Sequence, residues 1–169
     1  PSILQAEGAR EVAIEFHSLS KTFNMTGWRV GFAVGNPELI ALLAKVKSNV
    51  DSGIFQAIQV AGKAALDHGE SERKKSLEIY QRRRNLLVDG LNRLGWKIER
   101  PKATFYCFIP VPPGYLSAEL SLKFLNELHL VVTPGNGFGP NGEGYFRVSL
   151  TVAEERIAEA LERIKKSHK

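Results

Sequence analysis

The stretch from Ser71 to Leu94 constrains this chain more than any other. Leu77, Tyr80, Leu87, Leu91 and Leu94 recur at spacings of three, four or seven residues, one apolar stripe along a helix. Gly95 comes next as a stop signal, since glycine commonly ends a helix. A helix of this length divides the chain into an upstream part and a downstream part. The downstream part reads as a small α+β unit. Phe105 to Val111 is a buried strand ended by Pro112-Pro113-Gly114, and Ser117 caps a helix carrying Leu120, Phe124 and Leu128. Leu130 to Thr133 is a short strand, succeeded by a glycine-rich loop from Gly135 to Gly144 and a last strand from Tyr145 to Leu150. Thr151-Val152-Ala153-Glu154 reads as a capping box. It opens a helix that buries Ile157, Leu161 and Ile164 and ends in Lys165-Lys166.

Upstream of the long helix, Val12 to Phe16 is a short β-prone run, and a turn at Asn24-Met25-Thr26-Gly27 leads to a second strand, Trp28 to Val34. Asn36-Pro37-Glu38 predicts a helix start: Asn as N-cap, Pro at the first helical position and an acid in the first turn. Ser52-Gly53 interrupts that helix, and another is predicted over about 54–66.

With 43% hydrophobic and 24% charged residues among 169, the composition excludes disorder, a collagen repeat or a coiled coil as the main architecture. Apolar runs fall short of the roughly 18–20 residues a membrane span needs, and no signal-peptide pattern is visible. The expectation is a soluble, cytoplasmic chain without a membrane partner. One cysteine, Cys107, rules out a disulfide framework, and four scattered histidines argue against a metal site. The net charge of +5 sits mostly in helix-like segments such as Arg82, Arg83 and Arg84. It reads as a solvated helix face rather than a nucleic-acid surface. A start at Pro1 suggests an excised or truncated chain.

The chemistry concentrates in Ser18-Leu19-Ser20-Lys21 and, eight residues on, Arg29 within Gly27-Trp28-Arg29-Val30-Gly31. A lysine at a strand end, withdrawn from bulk water beside a cation, favours its neutral, nucleophilic form. Two hydroxyls and a guanidinium are the donors a phosphate needs, and the flanking glycines let backbone approach closely. Pyridoxal 5′-phosphate, with an aldehyde and a phosphate on one ring, would satisfy both. From the residue types alone, a loop lysine and a strand-edge arginine explain the same pattern equally well.

The run S-L-S-K-T-F-N-M-T-G-W-R-V-G-F resembles the lysine motif of class I/II aminotransferases, fold-type-I pyridoxal-phosphate enzymes. Pro134-Gly135, Phe138-Gly139 and Tyr145-Phe146-Arg147-Val148-Ser149 are similar to the family's carboxylate-binding region. Ala103-Thr104-Phe105-Tyr106 is similar to a strand that usually reads G-x-F-Y, with alanine in place of the glycine. The resemblance runs from Val12 to the C-terminus. Within the family, H-S-L-S-K-T-x-N-M-T-G-W-R with V-D-S-G-I-F-Q is most similar to LL-diaminopimelate aminotransferases and aspartate-aminotransferase-like members.

The resemblance implies an α/β fold, the C-terminal part of a fold-type-I transferase. Residues 1–70 would be the tail of the large cofactor-binding domain, 71–94 the linking helix and 95–169 the small α+β domain. Lys21 would bond the cofactor aldehyde and act as the base that moves the substrate α-proton. Ser18, Ser20 and Arg29 would hold the phosphate, and Arg147 would clamp the substrate α-carboxylate. Ser52 and Gly53 fall where family members approach a partner subunit's site. The reaction implied is transfer of an amino group from an amino acid, LL-diaminopimelate or aspartate, to a 2-oxo acid such as 2-oxoglutarate, in a homodimer when full length. The family's ring-stacking aromatic, the Asp on the pyridine nitrogen and a glycine-rich helix start would lie upstream. This chain alone is therefore expected to bind cofactor poorly and not to turn over.

The competing readings are a transcription regulator with an aminotransferase-like effector domain, a lyase of the same fold, and a stable non-catalytic module. Cys107, Trp28 and Trp96 read as packing residues and His17 as a structural strand-end histidine. The apolar edge at Val12–Phe16 belongs inside a larger sheet and is expected to promote self-association.

Overall fold

A computed structural model describes residues 2–167. They fall into two units that part between Lys75 and Ser76, within one continuous helix. Among these residues no helix is long and apolar enough to cross a membrane.

The first unit is built on a two-stranded antiparallel ribbon, β1 (Ile14–Ser18) and β2 (Gly31–Gly35), in which Ser18 faces Gly31 and His17 faces Phe32. Both strands lie further along the chain than the β-prone runs suggest. Val12 closes a short helix, α1 (Ala9–Val12), where Ala13 N–H donates to Ala9 C=O at 2.8 Å. The polar pair His17-Ser18 is drawn into the ladder instead. Trp28 sits in a 3-10 turn over Thr26–Trp28 rather than in β2, and is largely exposed rather than a packing anchor. Between the strands lies α2 (Leu19–Thr22), a single helical turn. Three helices come after the ribbon: α3 (Pro37–Lys47), α4 (Gln56–His68) and α5 (Glu70–Arg93). Asn36 caps α3 as its sequence predicts, its side-chain oxygen accepting from Leu39 N–H at 2.9 Å.

Among the described residues of this unit only Ala9, Leu19 and Met25 are buried apolar side chains, whereas Phe16 is 68% and Phe55 74% exposed. Two-stranded ribbons are marginal in water without a further face to pack on. Among the described residues β1 pairs with β2 alone.

The second unit holds the hydrophobic core. A three-stranded antiparallel sheet in the order β3 (Tyr106–Pro110), β5 (Tyr145–Ser149), β4 (Thr133–Pro134) packs against α5, α6 (Ser117–Leu128) and α7 (Glu154–Ser167). The two-residue period of β3 sends Cys107 and Ile109 into the core and leaves Tyr106 and Phe108 on the opposite face. Leu87 and Leu91 meet the core from α5 and Ile157, Leu161 and Ile164 from α7, as their spacing predicts, and Val88 joins them from α5. Leu77, by contrast, is exposed. Gly90 lets α5 and α7 close together, because a Cβ there would run into the Leu161 side chain.

Three local expectations are corrected. The short strand after α6 is Thr133–Pro134, not Leu130–Thr133. Ser117 is the first residue of α6, not its cap; its backbone and hydroxyl are taken by Glu143. The capping box at 151–154 does not form: the Thr151 hydroxyl pairs with Ser149, Glu154 pairs with Arg82, and α7 starts at Glu154.

Candidate active site

The lysine motif lies at one end of the β1–β2 ribbon. Ser18 is both the last residue of β1 and the N-cap of α2, its Oγ accepting from Ser20 N–H at 3.2 Å. Leu19 N–H donates to Val30 C=O at 3.2 Å, which ties the start of α2 to the strand beside it. The Thr26 hydroxyl donates to Ser20 C=O at 3.0 Å and anchors the outgoing turn. Lys21 is therefore on a helical turn just beyond the strand end, and it is exposed rather than withdrawn from water. Ser20 is buried, and Ser18 is exposed.

Arg29 adopts a left-handed backbone at φ 54°, uncommon outside glycine. Its Nη1 donates to Thr26 C=O at 3.1 Å, and among the described residues no carboxylate pairs with it. Of the two glycines around it only Gly31 is required by close approach. A Cβ there would lie 2.5 Å from the His17 carbonyl oxygen, whereas at Gly27 it would meet nothing within 4 Å. One short segment thus holds Ser18, Ser20 and Lys21 on one turn, and Thr26 ties that turn to Arg29 through its hydroxyl and carbonyl.

His17 is structural, as expected. Its Nε2 lies 2.6 Å from Glu15 Oε1 and its ring stacks on Phe32 at 4.9 Å. Glu15 also accepts from the Ser2 hydroxyl and the Ile3 N–H, and these bonds, the Ser2 hydroxyl foremost, hold its carboxyl below the usual range. Ser52 and Gly53 sit in an exposed turn closed by Gly53 N–H to Asp51 Oδ1 at 2.7 Å. A cavity of about 490 Å³ in this unit is lined by Leu19, Val30, Phe32, Gly53 and Leu66, but not by the four motif residues.

Arg147 belongs to the second unit, on β5 opposite Phe108 of β3 and Thr133 of β4. Its guanidinium carbon lies 4.4 Å from the centre of the Tyr106 ring and 4.7 Å from that of Phe138. Two π-faces flank the cation. Phe138 meets Phe108 edge-on at 5.9 Å, and Phe108 stacks on Tyr145 at 5.0 Å. Among the described residues no carboxylate pairs with Arg147. The rings flank the planar fork, whose hydrogen-bonding edge has the geometry to take a planar anion. The sequence places Tyr106 and Phe138 within family-like runs but does not show that their rings flank Arg147. The two-residue alternation of β3, which puts Tyr106 and Phe108 on the face of Arg147, is the signal that points to the first.

The Ser18-to-Arg29 segment thus carries a lysine, two hydroxyls and a guanidinium that, among the described residues, has no carboxylate partner, on a mixed helix-and-sheet scaffold. The profile described as "Aminotransferase class I and II" matches residues 2–164, and the chain belongs to that family. It is 56% identical over 164 residues to "LL-diaminopimelate aminotransferase 2" of Trichormus variabilis, covering 97% of this chain and 42% of that protein. It is 58% identical over 165 residues to the LL-diaminopimelate aminotransferase of Aquifex aeolicus, covering 98% and 43%. Among solved structures it superimposes on substrate-bound BacF of Bacillus subtilis with a TM-score of 0.93 at 38% identity, over 99% of this chain and 43% of that one. An aminotransferase of Staphylococcus aureus gives 0.91 at 36% identity, over 98% and 44%. The chain spans a little over two fifths of the length of these relatives, and its fold is that of part of a fold-type-I transferase.

Class I and II aminotransferases depend on pyridoxal 5′-phosphate. The donor set fits that group. Two hydroxyls and a guanidinium without a carboxylate partner suit a phosphate, and the Lys21 amine suits an aldehyde.

Proposed function

We propose that this chain supplies the lysine, part of the phosphate cradle and the carboxylate clamp of an aminotransferase. The reaction passes the amino group of LL-diaminopimelate, or of aspartate, to a 2-oxo acid, with 2-oxoglutarate the acceptor of choice. The observation that carries this reading is the 52–58% identity to LL-diaminopimelate aminotransferases over nearly the whole chain, with the lysine motif on one structured turn. When bound, pyridoxal phosphate supplies an aldehyde for the amino group and a ring that draws electrons from the substrate's α-carbon.

Ser18, Ser20 and Arg29 would hold its phosphate, Arg29 through the donors that Thr26 does not occupy. The Nζ of Lys21 would take the substrate's α-proton and return it, which requires the neutral amine at the moment of transfer. Arg147 would grip the α-carboxylate with two parallel bonds and so fix which bond at the α-carbon is cleaved. Residues up to about 70 would be the tail of the large domain, 71–94 the linking helix and 95–169 the small domain. The working enzyme would be a cytoplasmic homodimer, and the apolar residues exposed in the first unit, such as Phe16 and Phe55, support its packing against further protein. The test is an amino-transfer assay on the full-length protein with LL-diaminopimelate and 2-oxoglutarate. Glutamate formation supports the reading, whereas elimination products alone would replace it with a lyase.

A further inference from the structure

We propose that Glu143 is a positioning residue for Arg147: it pins the glycine-rich loop 135–144 so that Phe138 stays against the guanidinium. The proposal rests on the reading of Arg147 as the carboxylate clamp.

The loop is Gly-Asn-Gly-Phe-Gly-Pro-Asn-Gly-Glu-Gly, and half of its ten residues are glycine. Such a segment loses more backbone freedom on ordering than any other composition, so its shape has to be held from outside. Beside backbone bonds such as Val111 N–H to Gly144 C=O at 2.8 Å, one carboxylate ties the loop to the neighbouring helix. Glu143 Oε1 accepts from Ser117 N–H at 2.7 Å and from Gly144 N–H at 2.9 Å, and Oε2 accepts from the Ser117 hydroxyl at 2.9 Å. That hydroxyl in turn accepts from Asn136 N–H at 3.3 Å. A hydroxyl can donate and accept at once, so Glu143 and Ser117 join both ends of the loop to the first turn of α6. Ser117 is fully buried, while Glu143 reaches it from the exposed side of the loop. A carboxylate at this end of a helix also complements its dipole. Gly135 and Gly142 close the loop backbone to backbone, and a side chain on either would collide with the other's carbonyl.

Phe138 stands between those two pinned ends, two residues from Asn136. The opposite wall of the clamp, Tyr106, is held independently: its N–H donates to Thr104 Oγ1 at 2.9 Å. Only the Phe138 side of Arg147 therefore depends on Glu143.

The test is the side-chain Nε–Hε resonance of Arg147 in this chain, which both ring faces displace. Phe138→Leu defines the displacement caused by losing one ring, and Glu143→Ala is expected to move the resonance in the same direction. Glu143→Gln, which keeps a carbonyl acceptor, should restore part of it. An Arg147 resonance unmoved in a folded Glu143→Ala chain would overturn the proposal, because a purely structural carboxylate would alter the loop amides alone. If Glu143→Ala does not fold, Ser117→Ala removes only the hydroxyl relay, and the same resonance decides on the same terms. Titrating the unsubstituted chain with glutarate separates the two ideas. No response at Arg147 would count against the clamp, while the coupling to Glu143 is read without ligand.

Discussion

Gly27 and Gly31 flank the same arginine in one motif, yet the structure assigns them opposite tolerances to alanine. At Gly31 an added Cβ would lie 2.5 Å from the His17 carbonyl oxygen and 3.6 Å from Ser18 Cα, all backbone. Carbon and oxygen relax at about 3.3 Å or more, so the strands must part by ~0.8 Å at that point. The adjacent bond from Leu19 N–H to Val30 C=O is 3.2 Å long, and the same opening takes it to about 4 Å, beyond hydrogen-bonding range. Losing one or two such bonds at about 1 kcal/mol each, plus strain, gives about 1–3 kcal/mol. That lowers the population of the intact strand end by about five- to a hundredfold, and Ser18, Ser20 and Lys21 move with it. Gly27→Ala meets nothing and should be neutral or stabilising by up to ~1 kcal/mol through the unfolded chain. Amide exchange across the β1–β2 ladder, with pyridoxal-phosphate labelling of Lys21, reads both effects. Equal protection and equal labelling in Gly31→Ala and Gly27→Ala would refute this account of the motif's glycines.

Arg29→Gly removes the cost of a left-handed residue, about 1 kcal/mol, along with one exposed bond to Thr26. Its melting temperature should change little, while the preference of Lys21 for pyridoxal phosphate over phosphate-free pyridoxal disappears; a retained preference would remove Arg29 from the cradle. Burial pushes the Cys107 thiol up to about 11, so at pH 8 a thiol reagent should modify it only after denaturation, and rapid reaction of the native chain would contradict the β3 assignment. The N–H groups of Ser117 and Gly144 hold the Glu143 carboxyl below the usual range. Its contribution to stability is therefore present above the unfolded-state pKa and lost as pH falls through the lower folded-state value. Glu143→Gln should flatten that acid limb of the stability curve, and an unchanged limb would show that the charge contributes nothing.

The features legible in the sequence are those decided within a turn or two of chain. The Asn36 cap, the α7 stripe and the span of α5 arise from local spacing and capping, and the structure has them. Local propensity places the strands of the first unit too early, because the choice between His17-Ser18 and Val12-Ala13 for the ladder is made by a partner about fifteen residues away. Ser117 reads as a cap because serine usually is one; its role is settled by Glu143, 26 residues on. In the site, the lysine segment is legible because its members are close in sequence. The aromatic walls of Arg147 are not, since they come from a strand and a loop that meet only after the sheet has formed.

The most direct test of the central claim is borohydride trapping of this chain with pyridoxal phosphate, then mass spectrometry and peptide mapping. The account predicts one dominant adduct on Lys21 that is absent in Lys21→Ala, despite the many other exposed lysines. Label spread evenly over the surface lysines, with Lys21 no more reactive than the rest, would contradict it.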